Sequence, residues 1–160
     1  MSSKGADTVP RVVAGLGYGG LLPFIALAIA AVGANFLGQD PRWWNAALLA
    51  YGAAILSFVG ALHWGFAMTP QRLSDGQRTS AFVWSVVPAL VAWLALLSLL
   101  GASTFAAVLL VMGFLAHYCR DVRLARAAHL PAWYLPMRLR LTTVACLCLA
   151  APPVAQTLLA

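Results

Sequence analysis

The chain has 160 residues, of which 62% are hydrophobic and only 9% charged. Soluble domains carry about a quarter charged residues, so a water-soluble fold is excluded. The acidic side chains are four Asp and no Glu, which removes most of the acid/base repertoire of hydrolases and transferases, and no enzyme activity is expected. The net charge of +6 lies in arginines between apolar runs rather than on a soluble basic face, so it points to topology and anionic lipid headgroups, not to nucleic acid.

Residues 1–11 are polar, with Lys4, Asp7 and Arg11. An apolar run then extends over about 12–37. It is too long for the apolar region of a signal peptide, and more spans follow, so it reads as a first transmembrane helix. Gly15, Gly17, Gly19, Gly20 and Pro23 make its first half irregular. Pro23 should bend it, because proline has no backbone N–H. Gly15 and Gly19 form a GxxxG pair suited to close helix contact.

A loop of Gly, Asp and Pro leads to Trp43 and Trp44, placed at headgroup depth. The second span covers about 46–68. Ala53, Ser57, Ala61 and Gly65 recur every fourth position on it, a small-residue ridge along which another helix could approach. A polar loop over 69–80 carries Pro70, Arg72, Asp75 and Arg78, and the third span follows over about 81–100 with Pro88 as a kink. The four-residue turn 101–104 makes the fourth span, about 105–119, its antiparallel neighbour. Helical periodicity continues past the fourth span, and Arg120, Arg123 and Arg126 form one basic stripe. Pro131 and Pro136 suit the first turns of new helices. The fifth span covers about 137–158, with Pro152 and Pro153 expected to interrupt its far end. Cys119, Cys146 and Cys148 show no CxxC spacing and read as small apolar fillers without a disulfide framework.

The fold class is therefore all-α: a single domain of five transmembrane helices. Lys4, Arg11, Arg72, Arg78, Arg120, Arg123, Arg126, Arg138 and Arg140 fall on one side, against Arg42 alone on the other. The positive-inside rule then predicts a cytoplasmic N-terminus and a periplasmic C-terminus, in a bacterial inner membrane or, in a eukaryote, the mitochondrial inner membrane.

This topology brings His63 and Trp64, His117 and Asp121, and Arg138 to the cytoplasmic ends of three spans. Asp121 lies four residues after His117, on the same helix face. His63 must face inward, and Trp64, about 100° further round, cannot share its face. One reading of the cluster is purely structural. A second is a shallow pocket for a quinone headgroup or a lipid phosphate, with Trp64, Trp133 and Tyr134 as walls and His63, Arg120 or Arg138 as polar contacts. A third, metal or haem held by His63 and His117 near Cys119, lacks a supporting motif, and no metal or cofactor is expected. The Gly15–Gly20 cluster has neither a preceding strand nor a following Lys-Ser/Thr, so it is no phosphate loop, and neither GxSxG nor HExxH occurs.

The segment Tyr51-Gly-Ala-Ala-Ile-Leu-Ser-Phe-Val-Gly60, with His63-Trp64-Gly65 after it, resembles the family of small membrane proteins similar to transmembrane protein 69. Asp121, Leu130-Pro-Ala-Trp-Tyr134, Arg138 and Leu141-Thr142 resemble its second half. The resemblance runs from about Pro10 to the end of the fifth span. It implies the membrane fold but no particular reaction. It also implies arginine at the His63 position in some relatives, which weighs against a histidine-specific role such as haem ligation. The expected function is a non-catalytic accessory or assembly subunit, packing against a larger membrane complex or a second copy. The alternative is binding or transport of a small amphipathic ligand at the polar cluster.

Overall fold

The computed structural model describes residues 8–69, 73–99 and 101–159. Lys4, Pro70, Arg72 and Leu100, which entered the expected topology, lie outside the described residues. Among the described residues six helices follow one another: α1 (Arg11–Gly19), α2 (Leu21–Phe36), α3 (Arg42–Met68), α4 (Asp75–Ser98), α5 (Ser103–Ala128) and α6 (Tyr134–Leu159). No strand occurs among the described residues. With α1 and α2 taken together, five helices among the described residues are long and apolar enough to cross a membrane.

The first span divides at Gly20, three residues before Pro23. Pro23 offers no N–H to the Gly19 carbonyl, and the ladder loosens there. The neighbouring Gly20 carbonyl accepts a hydrogen bond from Tyr51 Oη of α3 at 2.9 Å. A side chain from an adjacent helix thus serves backbone that a proline has disturbed, as apolar surroundings require. Pro152 and Pro153 behave differently from the expected interruption: α6 runs through both to Leu159. Pro136 sits in the first turn of α6, where a missing N–H costs nothing.

The helix starts are locally specified. Ser74 Oγ accepts from the Gln77 N–H and the Gln77 side chain accepts from the Ser74 N–H, a capping box that opens α4. Asp40 accepts the N–H of Arg42, and its carboxylate also meets the Arg42 guanidinium at 2.9 Å. Both contacts hold the Asp40 carboxyl below the usual carboxylate range. His129 ends α5 in the left-handed region, with φ 50°.

Helix α3 is the axis of the bundle and touches α2, α4, α5 and α6. Leu48 and Leu56 on its own faces, with Phe24, Leu110 and Leu149 from its neighbours, are fully buried. Large apolar side chains such as Ile29, Phe58, Val83, Leu90, Met112 and Leu147 cover the outside. An exterior of this kind is a penalty in water and none in lipid, where helix association rests on close packing instead.

That close packing falls elsewhere than the sequence indicated. Of the expected ridge, Ala53 is buried and Ser57 half-buried, but Ala61 and Gly65 face outward. Gly15 and Gly19 are exposed as well, and a Cβ on Gly15, Gly19 or Gly65 would meet nothing within 4 Å. The internal contacts are made one helical position earlier, along Gly52, Leu56 and Gly60. A Cβ on Gly60 would lie 2.8 Å from Pro88 Cβ and 3.2 Å from the Ser85 carbonyl oxygen. Gly60→Leu is therefore expected to destabilise the bundle by about 1–3 kcal/mol. Gly65→Leu should stay within about 0.5 kcal/mol of the parent. Unfolding of the two variants by denaturing detergent checks the pair; equal losses would contradict the placement of Gly60 against Pro88.

Candidate functional site

Asp121 is the centre of the polar cluster, on a face of α5 turned toward α3 and α6, and it has no exposed surface. Its Oδ2 accepts a hydrogen bond from Arg138 Nε at 2.7 Å, in the first turns of α6. Its Oδ1 accepts from Tyr134 Oη at 3.2 Å. Two imidazoles approach the same oxygen at longer range: His117 Nε2 at 3.6 Å and His63 Nε2 at 3.8 Å. Both distances exceed a hydrogen bond. The two rings stand edge to face with centroids 4.8 Å apart.

The other face of His117 meets Trp84 of α4, whose indole Nε1–H donates to Nδ1 at 3.2 Å. An indole N–H only donates, so Nδ1 must present a lone pair. Nε2 then carries the ring proton and directs it at Asp121. His63 has no such partner. It is 2% exposed, yet neither ring nitrogen has a hydrogen-bond partner among the described residues.

The donor atoms of His63, His117 and Asp121 lie within 4.8 Å of one another, close enough to raise the question of a metal ion. The surroundings do not fit one. A metal-bound histidine donates its second N–H to an acceptor. If His117 Nε2 were a ligand, its proton would move to Nδ1 and face the Trp84 donor. Asp121 is in addition already neutralised by Arg138.

Beside His63 a cavity of about 280 Å³ lies between the end of α3, the start of α4 and the last turns of α5. Gln77, Ser80, Arg120 and Arg123 supply its polar lining, and Leu73 and Leu124 part of its apolar lining. Arg120 is held in place: its Nη2 donates to Ser80 Oγ at 2.6 Å, and its guanidinium lies 5.0 Å from the Trp84 ring centre.

The structure thus brings His63, His117, Asp121, Tyr134 and Arg138 together. Trp64 is turned outward against Phe82, at 4.9 Å between ring centres, and Trp133 packs beside Tyr134; neither lines the cavity. The proposed aromatic walls are therefore replaced by aliphatic ones, because the helix rotation that buries His63 carries Trp64 to the outside. Trp84 and Ser80 were missed from the sequence. A signal existed for Trp84: it lies as many residues before the α4–α5 turn as His117 lies after it, hence at the same depth.

Five apolar helices around a buried, charge-compensated cluster define a polytopic integral membrane protein. The chain belongs to the family described as "Protein of unknown function (DUF3429)", whose model matches residues 9–152 and so includes every residue of the cluster. It is 38% identical over 144 residues to transmembrane protein 69 of Xenopus tropicalis, a match covering 89% of this chain and 53% of that protein. The chain thus spans about half the length of that relative. No solved structure matches it.

The Trp84–His117 bond makes a spectroscopic prediction. Nitrogen NMR of histidine-labelled protein should show His117 as the Nε2–H form, with Nδ1 unprotonated. Trp84→Phe should release this preference and populate the second tautomer. A His117 signature unchanged by the substitution would show that the indole does not set the proton's place.

Proposed function

We propose that this chain is a non-catalytic membrane protein that binds the anionic head of a lipid-like amphiphile in the cavity beside His63. The observation that carries the reading is His63 itself: a buried imidazole beside the cavity, with neither ring nitrogen hydrogen-bonded to a described residue. Leaving such a group unpaired costs about 1–3 kcal/mol, and a phosphate or carboxylate accepting from the ring N–H would relieve part of that cost. Arg120 and Arg123 add positive charge, Gly76 and Gln77 bring the first turn of α4 to the wall, and no carboxylate lines the cavity among the described residues. A volume of about 280 Å³ falls just below the usual range for small-molecule sites, which fits a headgroup whose chains remain in the bilayer. The carboxylate of the cluster is tied to Arg138, which supports the non-catalytic reading.

The orientation belongs to the same proposal: N-terminus cytoplasmic, C-terminus periplasmic or facing the intermembrane space. It is supported by the end-to-end difference in charge. Arg120, Arg138 and Arg140 meet Ser80, Asp121 and Tyr18 at one end of the bundle. At the other end Arg42 is already paired with Asp40. The cavity would then open toward the cytoplasmic leaflet, where anionic lipids concentrate. A second reading, an accessory subunit docked on a larger complex or on a second copy, is favoured by the outward lane of Ala61 and Gly65, where a partner helix could approach closely.

Native mass spectrometry of protein purified in gentle detergent tests the ligand reading. An anionic lipid should accompany the parent protein and be lost from His63→Ala, while the thermal midpoint changes by only a few degrees. Equal lipid occupancy in both would overturn the reading. A stable protein partner lost from Gly65→Leu, with no bound lipid in the parent, would favour the accessory subunit instead. For the orientation, a C-terminal reporter should be active only outside the cytoplasm; activity inside would reverse it.

A further inference from the structure

A second recess, of about 150 Å³, lies between α1, α2, α3 and α6, with Phe114 of α5 at its back, whereas the His63 cavity is bounded by α3, α4 and α5. Arg138 and Thr142, one turn apart on α6, form the polar part of its lining. Both are at least nine-tenths buried, at 9% and 4% exposure. Arg138 gives Nε to Asp121, but its two Nη atoms make no hydrogen bond to any described residue. The Thr142 hydroxyl makes none either, although Ser57, Thr79 and Ser98 each bond the carbonyl one turn back in their own helices. The rest of the lining is apolar, with Phe24, Phe58 and Phe114 among it.

We infer that this groove holds the ring of an isoprenoid-quinone type of molecule, a planar uncharged head with carbonyl acceptors on an apolar tail. Donors without acceptors select an acceptor head. Charge selects a neutral one: Arg138 is already balanced by Asp121, so a carboxylate or phosphate here would leave a buried negative charge without a partner. The three phenylalanines favour a flat ring over a tetrahedral glycerol ester, because aromatic faces pack on planar groups. The volume admits one ring and not a two-chain lipid. Phe58 at 64% exposure and Leu16 at 75% mark the mouth as open to the bilayer, so the tail leaves among the acyl chains. This assignment is independent of the anion reading of the His63 cavity.

The test is calorimetric titration of the detergent-solubilised full chain with a decyl-tailed benzoquinone. Saturable binding of one molecule is expected. Thr142→Val, which keeps the shape and removes the hydroxyl, should weaken it about tenfold, the worth of one buried hydrogen bond. The same variant should melt no lower than the parent without quinone, since an unbonded hydroxyl contributes nothing to the fold. His63→Ala should leave quinone affinity unchanged. Three results would each overturn the inference: equal affinity in Thr142→Val, loss of quinone binding in His63→Ala, or decanoate or a phosphatidylcholine binding as tightly as the quinone.

Discussion

A carboxylate with no exposed surface inside a bundle of apolar helices persists only if something keeps it compensated. Asp121 meets that condition through Arg138 and Tyr134, both brought by the first turns of α6. The ion pair fixes where α6 starts against α5, and with it the depth of everything nearby. His117 lies one turn before Asp121 on the same face, and His63 of α3 stands 3.8 Å from the same oxygen, beyond hydrogen-bond reach. Trp84 closes the arrangement from α4 through His117. Four of the five spans thus meet at a single charge. The remaining span, α1–α2, joins through Tyr51 and the Gly20 carbonyl and through apolar packing of Phe24.

Two open spaces flank this centre, and their chemistry differs. The His63 cavity carries Arg120 and Arg123 without a lining carboxylate, so it suits an anion. The groove beside α1 and α2 shares Arg138 with the compensated pair, so it suits a neutral acceptor. On the proposed readings Asp121 would bear on specificity as well as on assembly: by neutralising Arg138 it withdraws that cation from one of the two recesses. Its surroundings also bear on the three potential metal ligands: His117 Nδ1 meets a donor indole, where a metal-bound histidine would need an acceptor.

Much of this was legible in the residues. Hydropathy located all five spans, because lipid imposes length and composition on each helix separately. The meeting of His63, His117, Asp121 and Arg138 followed from counting depth along alternating spans. The ridge of small residues was harder to assign, although the sequence held the answer. Ala61 and Gly65 are each two residues from His63, about 200° around the helix, so an inward histidine forces them outward. Gly60, Leu56 and Gly52 share the buried face instead. Period four reveals a stripe but not its direction; only a residue that cannot face lipid supplies that. The passage of α6 through Pro152 and Pro153 was not legible, because it depends on which neighbouring helices shelter the disturbed backbone.

The central claim is that the Asp121–Arg138 pair holds the neighbouring ends of α3, α4, α5 and α6 together as one unit. A double-mutant cycle measures this directly, with unfolding of Asp121→Leu, Arg138→Met and the double variant followed in detergent micelles. Each single change strands a buried charge and should cost about 3–5 kcal/mol. The double variant should cost much less than the sum, with a coupling of at least about 2 kcal/mol. Additive losses below about 1 kcal/mol each would contradict the claim and reduce the pair to one contact among many.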